Sequence, residues 1–428
     1  MVKKLSWIVV GSLAALASYG GDLRISSLAN DGTLVVTNAF TNGVVTVEKT
    51  SPVDGQWLPE KNVFSLGSIA QLKLALSGAT AFFRALAVDL SGGDAGFTNL
   101  TESYGLLSTV AGSGGTLVSP SDNWQPAFEG GPATNAELSH PHIAMADRAG
   151  NIYIADKEAH AIRKVTPDGN IFTVAGTGIA GYGDPNNPAP ATEVALHNPN
   201  GLWVREDGVF YILDRDNGLI RKVDTNGIMS TLVDSGGPIK GGRGLWVSPD
   251  ESLLFYSAGN QLKSYDSTNG LIVYVSGFGD LGNLAIDPNG YLVVTDRLGS
   301  KVYRIASDGT KTVIAGNGGP GGGGDGQLAT DTGLYQVRGI WFLPSGAYFL
   351  ATDAACQVWY VDTDGYIHLM LNGSFYAHAG DGSWFYDDPT AAKLGAVRQI
   401  TMDYDGNLLI TESDAGYVRK VQFLPLSP

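Results

Sequence analysis

The sequence predicts an all-β protein in which a small β-sandwich module precedes a six-bladed β-propeller. Three observations lead to this prediction. Hydrophobic residues make up 43% of the chain, enough to build a core, and the 58 glycines among 428 residues indicate many tight turns. A unit of four short strands recurs beyond residue 100. Its repeat distance of about 40 to 60 residues is typical of propeller blades.

The charge balance and the cysteine content exclude several classes of protein. With 42 acidic and 27 basic residues, the chain has a formal net charge of −15 at pH 7. A nucleic-acid-binding protein or one that docks on an anionic membrane surface needs a basic face, so we predict neither partner. Cys356 is the single cysteine, which excludes an intramolecular disulfide and a cysteine-based zinc cluster.

Residues 1–17 are predicted to be a signal peptide. Lys3 and Lys4 precede an apolar run over residues 5–16, and residues 15–17 (Ala-Leu-Ala) fit a cleavage site. The run is shorter than the roughly 20 apolar residues that a membrane span needs. We therefore predict an exported protein, secreted, periplasmic or on the cell surface, with no integral membrane segment after cleavage.

Residues 18–96 are predicted to form the small β-sandwich module. Short runs of β-branched and aromatic residues alternate with turn signals, at Asn42-Gly43 and at Asp54-Gly55. The strands are predicted at residues 33–37, 44–48, 72–76 and 81–85. The stretch 91–96 is rich in glycine and predicts a linker to the second domain.

Residues 97–428 are predicted to form the propeller. The first full copy of the repeat has strands near 143–147, 152–156, 161–165 and 171–176, with a tight turn at Asp168-Gly169. An acidic residue closes the second strand of five copies, and the third copy is degenerate. These acidic residues are Asp156, Asp214, Asp296, Asp353 and Glu412.

The sixth copy ends before its fourth strand, and a matching segment stands at the front of the domain. Residues 106–112 resemble residues 171–176, the fourth strand of the first copy. We therefore predict that a strand within 104–112 completes the last blade and closes the ring, which protects an otherwise open sheet edge.

The repeat carries a family resemblance. Residues 150–156, then Ile162-Arg163-Lys164-Val165, Asp168-Gly169 and residues 173–178 resemble the NHL repeat. The resemblance covers about 104–428, and it implies a six-bladed NHL-like propeller of the secreted bacterial type. NHL propellers are mostly binding scaffolds and only occasionally enzymes, so the resemblance specifies the fold rather than the function.

A candidate site lies at one mouth of the propeller channel. Aligning the repeats on their turn glycines places one residue of each copy there: His142, Asn200, Arg243, Gly282, Arg338 and Arg398. Arginine offers a fork of donors that suits carboxylate, phosphate or sulfate groups, so these residues predict a site for an anionic ligand. The alternative is that each arginine pairs with an acid of a neighbouring blade and holds the ring together.

Aromatic residues in the long loops between blades are predicted to surround the same mouth. Among them, Tyr182 and Trp384 are candidates for stacking on a sugar or anchoring a partner side chain. The alternative is that each ring packs its loop onto its own blade.

The acids and histidines leave metal chemistry open as an alternative. The strand-end acids are expected to accept hydrogen bonds from turn amides, with a ring of calcium ligands as the other possibility. The segments 362–365 and 403–406 resemble calcium loops but lie where hairpin turns are expected.

The chain is similar in fold to the NHL-type peptidyl-hydroxyglycine amidating lyase. That resemblance implies channel histidines that bind zinc, yet only His142 falls at the ring position. Six-bladed lactonases imply channel Glu, Asn and Asp ligands, of which only Asn200 fits. We predict no catalytic residue and no cofactor, and a bound calcium or zinc ion is the alternative.

These observations predict an exported, non-catalytic binding or scaffold protein. Its predicted ligand at the propeller face is an anionic small molecule, a glycan or a protein partner. One alternative is a metal-dependent extracellular lyase or lactonase-like hydrolase with its site in the channel. Another is a structural component of a cell-surface assembly, attached through the sandwich module.

Overall fold

The computed structural model describes residues 2–10, 23–51, 55–76, 81–114, 124–184 and 186–425, the first of these ranges by its backbone. Two antiparallel sheets form the N-terminal module, with the strand orders β1-β7-β4-β5 and β2-β3-β6. Their strands are β1 Val2–Val10, β2 Arg24–Leu28, β3 Thr33–Thr37, β4 Gly43–Thr50, β5 Leu58–Ser65, β6 Ile69–Lys73 and β7 Ala81–Asp89.

The core of the module lies between its two sheets. Along β7 the residues alternate between buried and partly exposed, and Phe83 and Ala85 point into the core. Leu34 and Val36 of β3 meet them from the opposite sheet. This period of two is what a two-sheet sandwich requires, because successive side chains of a strand point to opposite faces.

The other face of the first sheet packs against the propeller. Val44 is fully buried in the same core cluster as Leu408 and Ile410 of the last blade. Phe64 stacks on Phe423 with ring centroids 4.3 Å apart. These apolar contacts attach the module to one side of the propeller.

A helix, α1 Asp94–Glu102, connects the two parts, and the predicted linker over 91–96 is wrong from Asp94 onward. The helix forms because Phe97 and Leu100, three residues apart, share one face and are buried in the core that joins module and propeller. Glycine-rich composition alone did not reveal this apolar pair.

The predicted module strands differ from the structure in two further respects. The strand predicted at 72–76 is β6, which ends at Lys73. Neither β2 nor β5 was predicted. Asp54, one half of a predicted turn, lies outside the described residues.

Six sheets follow in the described part of the chain, each with a four-stranded antiparallel core. The last sheet includes β8 Leu107–Ala111, which stands before all the others in sequence. Blades one to three comprise β9 Pro141–Ala146, β10 Ile152–Asp156, β11 Ala161–Val165 and β12 Ile171–Ala175; β13 Ala189–Pro190, β14 Pro199–Val204, β15 Phe210–Asp214, β16 Leu219–Val223 and β17 Ile228–Asp234; and β18 Leu245–Val247, β19 Leu253–Ala258, β20 Gln261–Asp266 and β21 Gly270–Ser276.

Blades four to six repeat the arrangement, and short 3₁₀ turns lie in the loops between blades. The strands are β22 Leu281–Ile286, β23 Leu292–Asp296, β24 Lys301–Ile305 and β25 Lys311–Ala315; β26 Gln327–Leu328, β27 Val337–Phe342, β28 Tyr348–Thr352, β29 Gln357–Val361, β30 Tyr366–Gly373 and β31 Ala392–Leu394; and β32 Val397–Met402, β33 Leu408–Glu412 and β34 Tyr417–Val421. The 3₁₀ turns are Pro126–Phe128, Ala133–Asn135, Ala191–Glu193 and Ala329–Asp331.

The six sheets form a closed ring. The first strand of each blade contacts that of the next, around to β32 and β9. β8 pairs antiparallel with β34, with Leu107 opposite Val421 and Ala111 opposite Val418. The predicted fold class, a six-bladed propeller preceded by a small sandwich, is thus confirmed.

The predicted signal peptide falls on β1 and on residues that the structure does not describe. β1 runs antiparallel to β7, from Val2 opposite Val88 to Val10 opposite Ala81. Residues 15–17, the predicted cleavage site, lie outside the described residues. The signal peptide therefore stays a prediction.

Candidate functional site

The candidate site lies where the innermost strands of the blades begin. His142, Asn200, Arg338 and Arg398 are each the second residue of an innermost strand. Arg243 lies two residues before β18, at the same end. Arg243, Arg338 and Arg398 all act electrostatically on His142, which is consistent with one cluster at the channel mouth.

A β-bulge positions most of these side chains. In β14, Pro199 pairs with Asp214 and Gly201 with Leu213, so Asn200 is an extra residue in the innermost strand. Arg338 and Arg398 occupy the same place in their blades, and the pairing shifts at His142 as well. A bulge re-aims the side chain that it carries. The repeat therefore builds one inward-directed position per bulged blade.

Blade four has a register shift at the same place but contributes no side chain there. A Cβ atom on Gly282 would lie 2.4 Å from Thr295 Oγ1 and 2.8 Å from the carbonyl oxygen of Arg338. Only glycine fits so close to the neighbouring backbone. The gap in the ring of side chains is therefore a packing requirement.

Two arginines of the mouth share one carboxylate. Arg338 Nε lies 2.9 Å from Asp353 Oδ2, and Arg398 Nη1 lies 3.1 Å from the same oxygen. Arg398 Nη2 also contacts Asp414 Oδ1 at 2.7 Å. The side chains of Arg338, Arg398 and Asp353 are all largely buried, so water does little to screen their charges.

A second pair of arginines, from blades three and four, also shares one carboxylate. Arg243 Nη1 lies 3.0 Å from Asp280 Oδ1, and Arg297 Nη2 lies 2.7 Å from Asp280 Oδ2. Arg297 Nη1 also donates a hydrogen bond to Gln336 Oε1 at 3.0 Å. The two arginine–aspartate–arginine groups leave the mouth with more guanidinium than carboxylate charge.

Burial and mutual repulsion shift the pKa values of the cationic groups. Burial, followed by repulsion from Arg398, lowers the pKa of Arg338 to about 8. Burial also lowers the pKa of His142 well below its usual value, and Arg398 and Arg338 lower it further. His142 is therefore neutral at physiological pH, and an anion placed among these groups would relieve the repulsion.

The Asn200 side chain uses its donor within the mouth, but its acceptor oxygen has no partner among the described residues. Its Nδ2 donates a hydrogen bond to the carbonyl oxygen of Gly242. Its Oδ1 is buried and has no hydrogen-bond partner among the described residues. A buried amide oxygen without a donor is costly, so it is a position where a ligand donor gains affinity.

The strand-end acids stabilise blades and loops, and Asp353 also contacts two of the mouth arginines. Asp156 Oδ2 and Asp214 Oδ2 lie 3.1 and 3.4 Å from arginines of the adjacent strand, Arg163 and Arg221. Both acids also accept a hydrogen bond from a backbone amide, as the sequence predicts. Glu412 accepts a hydrogen bond from the Gly395 amide at 2.7 Å, and Asp296 accepts one from the Gly279 amide at 2.9 Å.

The predicted position of Tyr182 beside the channel mouth is wrong. Tyr182 is 60% exposed and shares a depression with Thr231 and Leu232 of β17. β17 lies on the outer side of blade two, three strands from the channel. The loop that carries Tyr182 folds outward, so this ring is remote from the arginines.

Trp384 also lies away from the mouth. Its backbone bridges Leu106, next to the outermost strand of blade six, and its side chain packs against the core beneath that strand. This is the alternative that the sequence left open, in which the ring fixes its own loop.

The histidines do not converge on a metal site. His140 Nδ1 lies 3.5 Å from Glu158, and His197 Nε2 lies 3.9 Å from Asp216, so each histidine contacts an acid in another loop of its own blade. Within the described ranges, no group of three His, Cys, Asp or Glu side chains is arranged to hold a metal ion. In both calcium-loop-like segments the first aspartate, Asp362 or Asp403, accepts backbone amides within its own hairpin turn.

Sequence reasoning missed the acidic partners and a second aromatic feature. Asp280 and Asp414 stand outside the strand-end positions, so the repeat alignment did not mark them. At the opposite end of the channel, Trp203, Trp246 and Trp341 line a cavity. The signal for these was present, because the segments Gly-Leu-Trp-Val, Gly-Leu-Trp-Val and Gly-Ile-Trp-Phe occupy matching places in three repeats.

Comparisons with known proteins agree with the repeat. The family model described as Teneurin NHL domain matches residues 180–241. A 90-residue stretch is 36% identical to Protein SUPPRESSOR OF QUENCHING 1, chloroplastic, of Arabidopsis thaliana; it covers 21% of this chain and 8% of that relative. The chain thus spans a small part of the relative's length.

Two solved structures share the fold across nearly the whole chain. A protein of unknown function from Bacteroides thetaiotaomicron VPI-5482 has a TM-score of 0.56 at 13% identity, covering 91% of this chain and 94% of its own. An auxiliary nutrient binding protein from Bacteroides ovatus ATCC 8483 has a TM-score of 0.54 at 14% identity, with coverages of 91% and 94%. These structures share the propeller fold with this chain, and the NHL-domain model matches one stretch of it.

Helices long and apolar enough to cross a bilayer are absent from the part of the chain that the structure describes.

Proposed function

We propose that this protein is an exported, non-catalytic binding protein that holds an anionic group at the arginine-lined mouth of its propeller. The observation that carries the proposal is the sharing of single carboxylates by pairs of arginines, Arg338 with Arg398 on Asp353 and Arg243 with Arg297 on Asp280. With Asp414 on Arg398 included, the four guanidinium groups of the mouth face three carboxylates, so the mouth as a whole has one guanidinium charge in excess. A ligand carboxylate or sulfate supplies the missing charge.

The unused hydrogen-bonding capacity at the mouth supports the same proposal. The Nε atom of Arg398 is buried without an acceptor among the described residues, and Asn200 Oδ1 is buried without a donor. A ligand that carries both an anionic group and a hydroxyl satisfies both. Acidic sugars have this combination, and a structurally similar protein is described as nutrient binding.

Binding of a defined acidic sugar tests the proposal. Oligogalacturonides, which carry one carboxylate per ring, are titrated into the protein by calorimetry, with their methyl esters as the matched neutral ligand. We expect the acid form to bind at least about tenfold more tightly, because one charge-assisted hydrogen bond contributes about 1.5 kcal/mol or more. Equal affinity for acid and ester, or no binding of either, contradicts the proposal.

Export is proposed from the leader-like sequence and has its own test. Protein secreted by a bacterial host should have a mass that lacks residues 1–17, with an N-terminus at Ser18. An intact N-terminus on the exported protein contradicts cleavage. In either case the binding test above is unaffected, because the mouth lies in the propeller.

A further inference from the structure

The end of the channel opposite the arginines is lined by three indole rings. Trp203 and Trp341 are each the fifth residue of their innermost strand, and Trp246 holds the matching place in β18. All three are partly exposed. Trp203 and Trp246 have ring centroids 6.3 Å apart and an interplanar angle of 58°, so they present faces in different directions.

These rings enclose a cavity that also contains unused polar groups. The cavity has a volume of about 150 Å³ and is lined by the three tryptophans together with Asn283, Gln399 and Thr401. Gln399 is 3% exposed, and its Oε1 has no hydrogen-bond partner among the described residues. A buried amide oxygen without a donor favours a ligand that brings one.

The cavity continues into a groove between the propeller and the N-terminal module. Met145, Trp203, Trp341 and Phe342 line both spaces, and the groove has a volume of about 730 Å³. The module contributes the opposite wall of the groove, through Lys61, Gln71 and Lys73 among others. This size is within the range of ligand clefts, roughly 300 to 1,000 Å³.

Positively and negatively charged side chains line the groove in equal number, namely Lys61, Lys73 and Arg148 against Asp147, Asp403 and Asp405. Lys61 Nζ contacts Asp405 at 2.9 Å, and Arg148 Nη2 contacts Glu206 at 2.6 Å. Asp147 accepts hydrogen bonds from the Asn151 side chain at 2.7 Å and from Tyr153 Oη at 3.2 Å. This balance distinguishes the groove from the arginine mouth and indicates an uncharged ligand.

From these features we propose that the tryptophan-lined end binds a neutral oligosaccharide. Its terminal sugar ring enters the cavity, and the following rings lie in the groove between the two domains. A sugar has apolar C–H faces that stack on indole rings and hydroxyl groups that donate to Gln399 Oε1. The Arg148 guanidinium, 4.9 Å from the Tyr404 ring centre, and Tyr404 itself extend the stacking surface along the groove.

Titration with a panel of neutral hexasaccharides tests this proposal. Maltohexaose, cellohexaose, xylohexaose and mannohexaose are added to the full chain while tryptophan fluorescence and heat are recorded. We expect at least one to bind with a Kd below about 1 mM and to change the tryptophan emission. If none of the four sugars binds at concentrations up to about ten times this Kd, the proposal is overturned.

Substitutions then locate the sugar-binding site. Trp341→Ala and Gln399→Leu should each weaken it at least about tenfold, since each removes about 1.5 kcal/mol of contact. Trp341→Phe keeps an aromatic face and should retain most of the affinity, which separates loss of stacking from loss of fold. Tyr182→Ala, an exposed aromatic elsewhere, is the matched control and should bind as the wild type does.

The two proposed sites are distinguished by their variants. Neutralising Arg338 and Arg398 should leave the neutral sugar bound with unchanged affinity, because those residues lie at the other end of the channel. Binding that survives Trp341→Ala, or that is lost with the arginines instead, overturns the assignment of this end as a sugar site. Either result leaves the test of the anionic site intact.

Discussion

Asp353 Oδ2 lies 2.9 Å from Arg338 Nε and 3.1 Å from Arg398 Nη1, so one buried carboxylate serves arginines from two neighbouring blades. β-bulges at Arg338 and Arg398 bring these residues inward from β27 and β32. The arrangement therefore ties blades five and six together. Asp414 balances this group, and the two arginines on Asp280 leave the mouth as a whole with more guanidinium than carboxylate charge, which connects the stability of the ring to its proposed ligand.

Replacing Asp353 with Asn should destabilise the protein and increase its response to anions. Removing one partner of a buried ion pair costs about 3 to 5 kcal/mol, because the remaining charges are unpaired. Thermal unfolding with and without sulfate measures both effects, and sulfate should raise the Tm of Asp353→Asn more than that of the wild type. Asp364→Asn, an exposed residue of the same blade, is the control. Equal sulfate effects would contradict the account.

The contribution of β8 to ring closure should be measurable as a change in the free energy of unfolding. Leu107 is fully buried opposite Val421, so Leu107→Ala is expected to lower the free energy of unfolding by about 2 to 5 kcal/mol. Ser108→Ala, on the same strand and only partly buried, should have a small effect. Denaturant unfolding and size-exclusion chromatography are the measurements. A Leu107→Ala protein as stable and monomeric as the wild type would show that β8 does not hold the ring closed.

His142 should make the protein less stable as the pH falls below about 6.5. Its folded-state pKa lies well below the usual value of 6.5, owing to burial and the adjacent arginines. The unfolded chain therefore takes up a proton that the folded protein does not, so stability falls with decreasing pH. Denaturant midpoints between pH 5 and pH 8 should have a smaller pH dependence in His142→Gln than in the wild type. Identical slopes would contradict the prediction.

Metal analysis distinguishes the binding function from the enzymatic alternative. Protein purified without chelators or a histidine tag should contain zinc and calcium far below one equivalent after dialysis. No three potential ligands are grouped among the described residues, so tight binding there has no basis in the geometry. Near-stoichiometric metal that survives dialysis would favour a lyase or lactonase-like activity and call for those assays.

The sequence was sufficient for the fold because each blade repeats the same local signals. Alternating apolar strands and turn glycines at a regular spacing specify four-stranded sheets, and the ring is the way such sheets bury both faces. α1 escaped prediction because only Phe97 and Leu100 mark its buried face within a glycine-rich stretch. Such short amphipathic segments carry little periodic signal.

The repeat alignment predicted the positions of the mouth arginines and marked Asp353, but it did not mark their other acidic partners. Arg338 and Arg398 occupy a repeat position, so alignment placed them correctly at the innermost strands. Asp280 and Asp414 lie in loops outside the repeat's acidic positions, and only the tertiary structure brings them to the guanidinium groups. Tyr182 was misplaced for the same reason, because a long loop has no period that fixes its direction.

The most direct test of the proposed function is the affinity of oligogalacturonide for the double variant Arg338→Gln, Arg398→Gln relative to the wild type. We expect the Kd to rise at least about tenfold, since two guanidinium donors are lost. The same two positions changed to Lys should lose less, because the charge remains while the fork of donors does not. The double variant Lys164→Gln, Lys420→Gln, on the third strands of blades one and six, removes the same two positive charges and controls for net charge. An unchanged Kd in the Gln double variant would contradict binding at this mouth.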